Sequence, residues 1–193
     1  LTGVPNRRAI FEKIDHFVEK CRSFWLGIFD LDGFKGVNDV YGHIIGDRLL
    51  RAAVDRGNEM VSEGVTFGRI GGDEFVVILP GDISEPELKS IVDSRIRAIA
   101  EPYFIDHLEL TVGASAGFTH FPNTGSHSAQ LYEQADFALY KAKTQHRGQC
   151  MVFDTAENDE MKHAIAIERE MRESNLEEEL YLLFQPQYSP NEQ

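Results

Sequence analysis

The order of apolar patterns along the chain predicts an α+β (mixed α/β) fold, with a central, mostly antiparallel sheet covered by helices. Three observations carry this. Two β-rich apolar runs, Val65 to Ile70 and Phe75 to Leu79, flank Gly71-Gly72 and read as a tight hairpin. A third run, Phe24 to Phe29, reads as a buried strand that ends directly in carboxylates. Around these lie segments whose apolar residues recur at helical spacing, giving the order helix, strand, helix, hairpin, helix, strands, helix, strand.

Pro5 suits a first helical turn, and Ile10, Ile14, Phe17 and Val18 repeat at helical spacing up to Cys21. This helix ends near Arg22-Ser23, before the strand Phe24 to Phe29. Gly33 to Gly42 reads as a loop or short helix. A longer helix runs from about Ile45 to Val61, with Leu49, Leu50, Ala53 and Val54 as its apolar face. The hairpin follows, its tip at Gly71 and Gly72. Ser84 then caps a helix with acids in its first turn, and Leu88, Ile91, Val92, Ile96 and Ile99 form the buried stripe that Pro102 ends. Tyr103 to Ile105 and Leu108 to Phe121 read as extended, with Gly113 and Gly117 as bulges or close-approach points. A helix from Ser128 to about Gln145 turns Leu131, Ala135, Leu139 and Ala142 inward, and Cys150 to Phe153 is a closing strand.

A chain of 193 residues accommodates one well-packed domain and part of another. With 42% hydrophobic and 26% charged residues it has the composition of an ordinary soluble globular protein. No apolar run approaches the length that crosses a bilayer, and none resembles a signal peptide. The net charge of -13 is unevenly placed: residues 1–153 carry 16 basic and 21 acidic side chains, residues 154–179 only 3 and 10. There is no basic stripe for a nucleic acid backbone, whereas a single triphosphate needs only a few cations and a metal. Cys21 and Cys150 lack metal-ligand spacing and fit a reducing cytoplasm. The seven histidines are scattered, and His43 fits a structural place in its turn.

The chemistry gathers at two stretches. The run FWLGIF ends in Asp30, followed by Leu31, Asp32, Gly33, Phe34 and Lys35, and the hairpin carries Asp73 and Glu74 directly after its glycines. Acids in a turn are ordinarily just solvated. A strand that ends in a carboxylate beside a hairpin that begins with two, however, can share an oxygen-liganded cation at the sheet edge, with Asp30 and Glu74 as the first pair. Magnesium, which takes few protein ligands plus phosphate oxygens, suits this short list better than calcium.

Residues 69–75 (RIGGDEF) and 29–47 (FDLDGFKGVNDVYGHIIGD) resemble the GGDEF family of diguanylate cyclases. The opening LTGVPNRR of residues 1–8 and the run from Ala135 to Lys143 resemble two further blocks of that family, in its order, so that the likeness covers residues 1 to about 153. It implies a ferredoxin-like palm, as in nucleotidyl cyclases, with the active site where Asp30 meets the hairpin. It also implies that two GTP molecules, held by the facing subunits of a homodimer, condense to cyclic di-GMP. Each 3′-hydroxyl attacks the other's α-phosphate with loss of pyrophosphate, and charge neutralisation and in-line positioning carry most of the catalysis.

The same resemblance assigns metal binding, with magnesium or manganese, to Asp30, the Leu31 carbonyl, Asp73 and Glu74. Catalysis falls to Asp73 and Glu74, whose division of work stays open. Asp32 matches the motif, and either binds metal, supports the loop or faces away. Gly71 and Gly72 let phosphates or ribose approach the backbone closely. Asn38 and Asp47 select guanine, since a carboxylate accepts from the adjacent N1–H and 2-amino group, a donor pair that guanine presents and adenine does not; the plainer alternatives are a turn or cap side chain and a helix N-cap. Lys35, Lys143 and Arg147 are the phosphate cations. Lys143 and Arg147 share a face if the helix continues that far, and otherwise complement its dipole. The family's GRN is here His146-Arg147-Gly148, which keeps the arginine without its preceding glycine.

Residues 154–179 read as a charged helical linker, and residues 180–193, with Tyr181 to Gln187, resemble the first strand of an EAL phosphodiesterase domain. None of that domain's metal ligands lies in this sequence. The chain begins inside a motif, so sensor or membrane-anchoring segments are expected upstream. The leading expectation is a diguanylate cyclase. The alternative is a GTP-binding regulatory domain, without catalysis, that adjusts an attached EAL phosphodiesterase; a dimerisation module is a third reading. Many members of the family carry an RxxD product-inhibition site ahead of the hairpin, and the matching Ser62-Glu63-Gly64-Val65 has neither charged residue. Cyclic di-GMP is therefore expected not to inhibit through that site, and tight product binding there in calorimetry would contradict this.

Overall fold

The computed structural model describes residues 2–58 and 64–173. Helix α1 (Arg7–Glu19) starts where the Asn6 side chain accepts the Ala9 N–H at 3.1 Å, satisfying one of the donors a helix start leaves open. Strand β1 (Phe24–Asp32) leads into α2 (Phe34–Asn58). The hairpin of β2 (Thr66–Gly71) and β3 (Glu74–Pro80) precedes α3 (Glu85–Ile99), capped by Ser84 as its sequence demands. Short strands β4 (Tyr103–Ile105) and β5 (Leu108–Leu110) come before β6 (Gly113–Phe121), α4 (Ser128–Gln145) and β7 (Cys150–Val152).

One element settles an open sequence reading and two differ from it. Of the loop or short helix read for Gly33 to Gly42 it is the helix that forms, from Phe34 on, and it runs into the next one, broken only at Gly42 (φ 80°, ψ 163°), a conformation that a side chain would resist. The hairpin turn is Gly72-Asp73, one residue later than expected. Gly71 pairs with Glu74, because the register shifts between Arg69 and Gly71, and Gly72 takes the positive φ of 46°. The run from Leu108 to Phe121 is two strands: β5 pairs with β4 in a separate two-stranded sheet, and only β6 joins the main one. The expected helix end at Val61, Ser62 and Glu63 of the inhibition-site position, the linker beyond Glu173 and the EAL-like stretch 180–193 lie outside the described residues.

The main sheet has the order β2-β3-β1-β6-β7, antiparallel except for β6 against β7. Strand β1 is therefore central, with helices over both faces. Phe24, Leu26 and Ile28 pack with Ile10 and Ile14 of α1 and with Leu131, Ala135 and Leu139 of α4. Trp25, Phe29 and Leu31 point the other way, into a core shared with Leu49, Leu50 and Val54 of α2 and Leu88, Val92 and Ile96 of α3. This two-sided burial is why the strand reads as an unbroken apolar run. Among the described residues no helix is long and apolar enough to cross a membrane.

The chain divides into two compact units at Thr155/Ala156; the first holds both sheets, and the second contains α5 (Asn158–Glu173). Within the first unit, α4 lies so close to β6 that a Cβ on Gly117 would overlap the backbone of Ala135 and Leu139. Neither neighbour is a flexible side chain that could yield. Gly117→Ala is therefore expected to destabilise the fold by about 1–3 kcal/mol, the usual cost of overpacking, seen as a lower urea midpoint at unchanged slope. An unchanged midpoint would contradict the close contact.

Candidate functional site

Antiparallel pairing sets the site. In register, Asp30 of β1 faces Glu74 of β3 on one side and Ser115 of β6 on the other. Cross-strand partners project to the same face of a sheet, as do residues two apart on one strand. Asp30, Asp32, Glu74 and Ser115 thus share the face that carries α4. Asp73 sits in the turn beside them, where its carbonyl accepts the Leu31 N–H at 3.3 Å. The turn is braced by Arg69, whose Nε and Nη2 donate to the Gly72 carbonyl at 2.9 and 2.6 Å.

Helix α4 brings the cations. Lys143 Nζ lies 2.7 Å from Asp30 Oδ2, and Arg147 Nε 3.1 Å from Asp32 Oδ1. The helix itself ends at Gln145, so the two do not share a helical face as one reading of the sequence required; Arg147 reaches the sheet from the segment beyond it. Ser115 Oγ donates to Asp32 Oδ2 at 2.7 Å.

These carboxylates strain against their surroundings. Asp30 is only 7% exposed. Burial raises its pKa, opposed by the bond from Lys143 and reinforced by the charges of Asp73 and Asp32. Glu74 is raised by burial first, then by Asp136 and Asp30, with Lys143 opposing. A cation between Asp30 and Glu74 would relieve both. Among the described residues no three acids, histidines or cysteines stand close enough to hold a metal by themselves. Two facing carboxylates nevertheless fit magnesium, which binds through one or two protein carboxylates and fills its remaining positions with phosphate oxygens and water.

The remaining predicted residues fall nearby or apart. Gly71 and Gly72 are exposed, with open space where a Cβ would project. Asn38 and Asp47 are drawn together by the break at Gly42: Asn38 packs on Gly46, where a Cβ would overlap its Oδ1, one residue from Asp47. Both lie within helical segments, so neither is the turn side chain or N-cap that was the plainer alternative. Lys35 is exposed in the first turn of α2.

Three participants escaped the sequence reading. Asp136, which raises Glu74, lies seven residues before Lys143, two turns along one face of α4; that spacing was available as a signal. The Arg7 guanidinium lies 5.3 Å from the Phe11 ring centre and 5.2 Å from that of Tyr132. It faces an open depression bounded by Asn6, Arg69, Gly71 and Gly72. Ser115 has no local signature, since its place depends on pairing with a strand more than eighty residues away.

Residues 1–149 match the family described as "Diguanylate cyclase, GGDEF domain". The bifunctional diguanylate cyclase/cyclic di-GMP phosphodiesterase MucR of Pseudomonas aeruginosa is 32% identical over 197 residues, covering 99% of this chain and 28% of the relative. The cyclic di-GMP phosphodiesterase PdeR of Escherichia coli is 32% identical over 188 residues, covering 96% and 28%. The chain thus spans between a quarter and a third of these relatives. Among solved structures, the GGDEF domain of YfiN (TpbB) from Pseudomonas aeruginosa superposes with a TM-score of 0.76 at 28% identity, covering 80% of this chain and 99% of that one.

The raised pKa of Glu74 has a definite sign. Ionising a carboxyl whose folded pKa lies above its unfolded one opposes folding; the penalty is complete above the folded pKa and absent below the ordinary value of about 4.3. Glu74→Gln is expected to raise the melting temperature at neutral pH, with the gain shrinking as pH falls into the ordinary carboxylate range. Equal melting temperatures at pH 7 would contradict this.

Proposed function

The chain belongs to the GGDEF family of diguanylate cyclases, and we propose that it condenses two GTP molecules into cyclic di-GMP with release of pyrophosphate, acting as a homodimer. The observation that carries this reading is the facing of Asp30 and Glu74 across β1 and β3, with Asp73 in the adjoining turn and Lys143 reaching the same point from α4. Magnesium or manganese would be held by Asp30, Glu74 and the Leu31 carbonyl, with Asp73 having to move in from the turn to join them, and would neutralise phosphate charge and lower the pKa of the attacking 3′-hydroxyl.

The protein's own part is positioning. Asp73 stands nearest the reacting hydroxyl, at the exposed turn where a second subunit's nucleotide has to arrive. The side-chain-free tip at Gly71 and Gly72 lets ribose and phosphates lie against the backbone. Lys143, now on Asp30, would be free to meet the terminal phosphates if a cation engaged that carboxylate, and Arg147 and Lys35 would add further positive charge. Asp47 accepts from the guanine N1–H and exocyclic amine, and Asn38 pairs with the remaining edge.

In the longer protein we expect an EAL domain downstream of residue 180 and sensor segments upstream, with this domain on the cytoplasmic side. The likeness to PdeR, a phosphodiesterase by name, favours a second reading: a GTP-binding domain that forms no product and regulates such an EAL domain.

The test is incubation with GTP and magnesium, beside Asp73→Ala and Glu74→Ala variants. Formation of cyclic di-GMP and pyrophosphate, abolished in both variants, is the expected result; GTP binding without product would favour the regulator. Asp47→Ala is expected to cut the preference for GTP over ATP on the order of a hundredfold, since a base-reading pair left unmade discriminates strongly.

A further inference from the structure

Asp32 shares its strand face with Asp30, but the sheet treats the two differently. Pairing between β1 and β3 stops at Asp30 and Glu74, whereas pairing between β1 and β6 continues to Asp32 and Gly113. Asp32 therefore lies one pleat beyond the facing carboxylates, about 7 Å along the strand from Asp30, with no acid opposite it. Its side chain is 10% exposed, and both oxygens are engaged: Oδ2 accepts from Ser115 Oγ at 2.7 Å and Oδ1 from Arg147 Nε at 3.1 Å.

Ser115, fully buried, extends the connection. Its Oγ also accepts the Gly148 N–H at 3.0 Å, so the backbone just after Arg147 and the Arg147 side chain are both tied, through one serine and one aspartate, to the ends of β1 and β6. This fastening matters because α4 stops at Gln145 and no longer holds the arginine. Arg147 remains 66% exposed, and bonding through Nε leaves its two terminal amino groups to donate elsewhere.

We propose that Asp32 is a positioning residue, not a metal ligand: together with Ser115 it aims the Arg147 guanidinium at the terminal phosphates of a nucleotide held at Asp30 and Glu74. The proposal rests on the proposed function for its nucleotide, and adds the means by which a cation outside the helix is held in register. As a ligand, Asp32 would have to share with a cation the oxygens that already accept from Ser115 and Arg147, and a cation beside Arg147 would repel it. As an anchor it keeps them, and its charge restrains Arg147 without consuming the donors that meet phosphate.

The experiment measures calorimetric binding of a non-hydrolysable guanosine triphosphate analogue in magnesium to the wild type, Asp32→Asn, Arg147→Met and the double variant, with melting curves to verify folding. Each single change is expected to weaken binding roughly tenfold, as for loss of one charge-assisted hydrogen bond. The double variant should bind no more weakly than Arg147→Met alone, and the magnesium needed at saturating analogue should not change in Asp32→Asn. Ser115→Ala should produce a smaller loss that also vanishes in the Arg147→Met background, which keeps the test intact if Asp32→Asn does not fold. Unaltered affinity in Asp32→Asn, a further loss on top of Arg147→Met, or a raised magnesium requirement would each overturn the anchor, the last by making Asp32 a ligand. Failure of the wild type to bind the analogue would instead overturn the proposed function and this inference with it.

Discussion

The site depends on the register of β1 between β3 and β6. A buried central strand can slip only at the cost of turning its whole apolar set around, since a one-residue shift exchanges the two faces. Phe24, Leu26 and Ile28 must meet α1 and α4, and Trp25, Phe29 and Leu31 must meet α2 and α3. Once that is satisfied, Asp30 has no freedom: it faces Glu74, on the side from which Lys143 arrives. The hydrophobic core thereby positions the carboxylates.

The electrostatics follow from the same placement. A strand covered on both sides withdraws its terminal acid from water, and the neighbouring turn adds charge of the same sign. Lys143 compensates in part, and the raised pKa values of Asp30 and Glu74 measure what is left uncompensated. Such a group of acids carries a folding cost that a bound cation with phosphates would remove, a common pattern where activity requires groups that stability would discard.

Much of this was legible in the sequence because it is local. The strand ending in Asp30, the glycines of the hairpin, the cap at Ser84 and the stripe of α4 each carry their own signal within a few residues. The helical break at Gly42 and the one-residue displacement of the turn to Gly72-Asp73 were missed, since they arise from dihedral choices and from a register shift that composition does not record. The Asp32, Ser115 and Gly148 connection was illegible for another reason: its members lie on three separate segments and meet only once β1 and β6 have paired. Asp136 lies between these extremes, in a stretch already singled out and at a spacing that places it with Lys143.

In the proposed function Asp30 and Glu74 share one cation with the nucleotide's phosphates. The most direct measurement is manganese binding, followed by electron paramagnetic resonance in the presence of a non-hydrolysable guanosine triphosphate analogue, for Asp30→Asn, Glu74→Gln and the double variant. Each single change is expected to weaken manganese binding strongly, and the double change to add much less than the sum of the two, because both remove ligands of one ion. Fully additive losses, or wild-type affinity in either single variant, would contradict it.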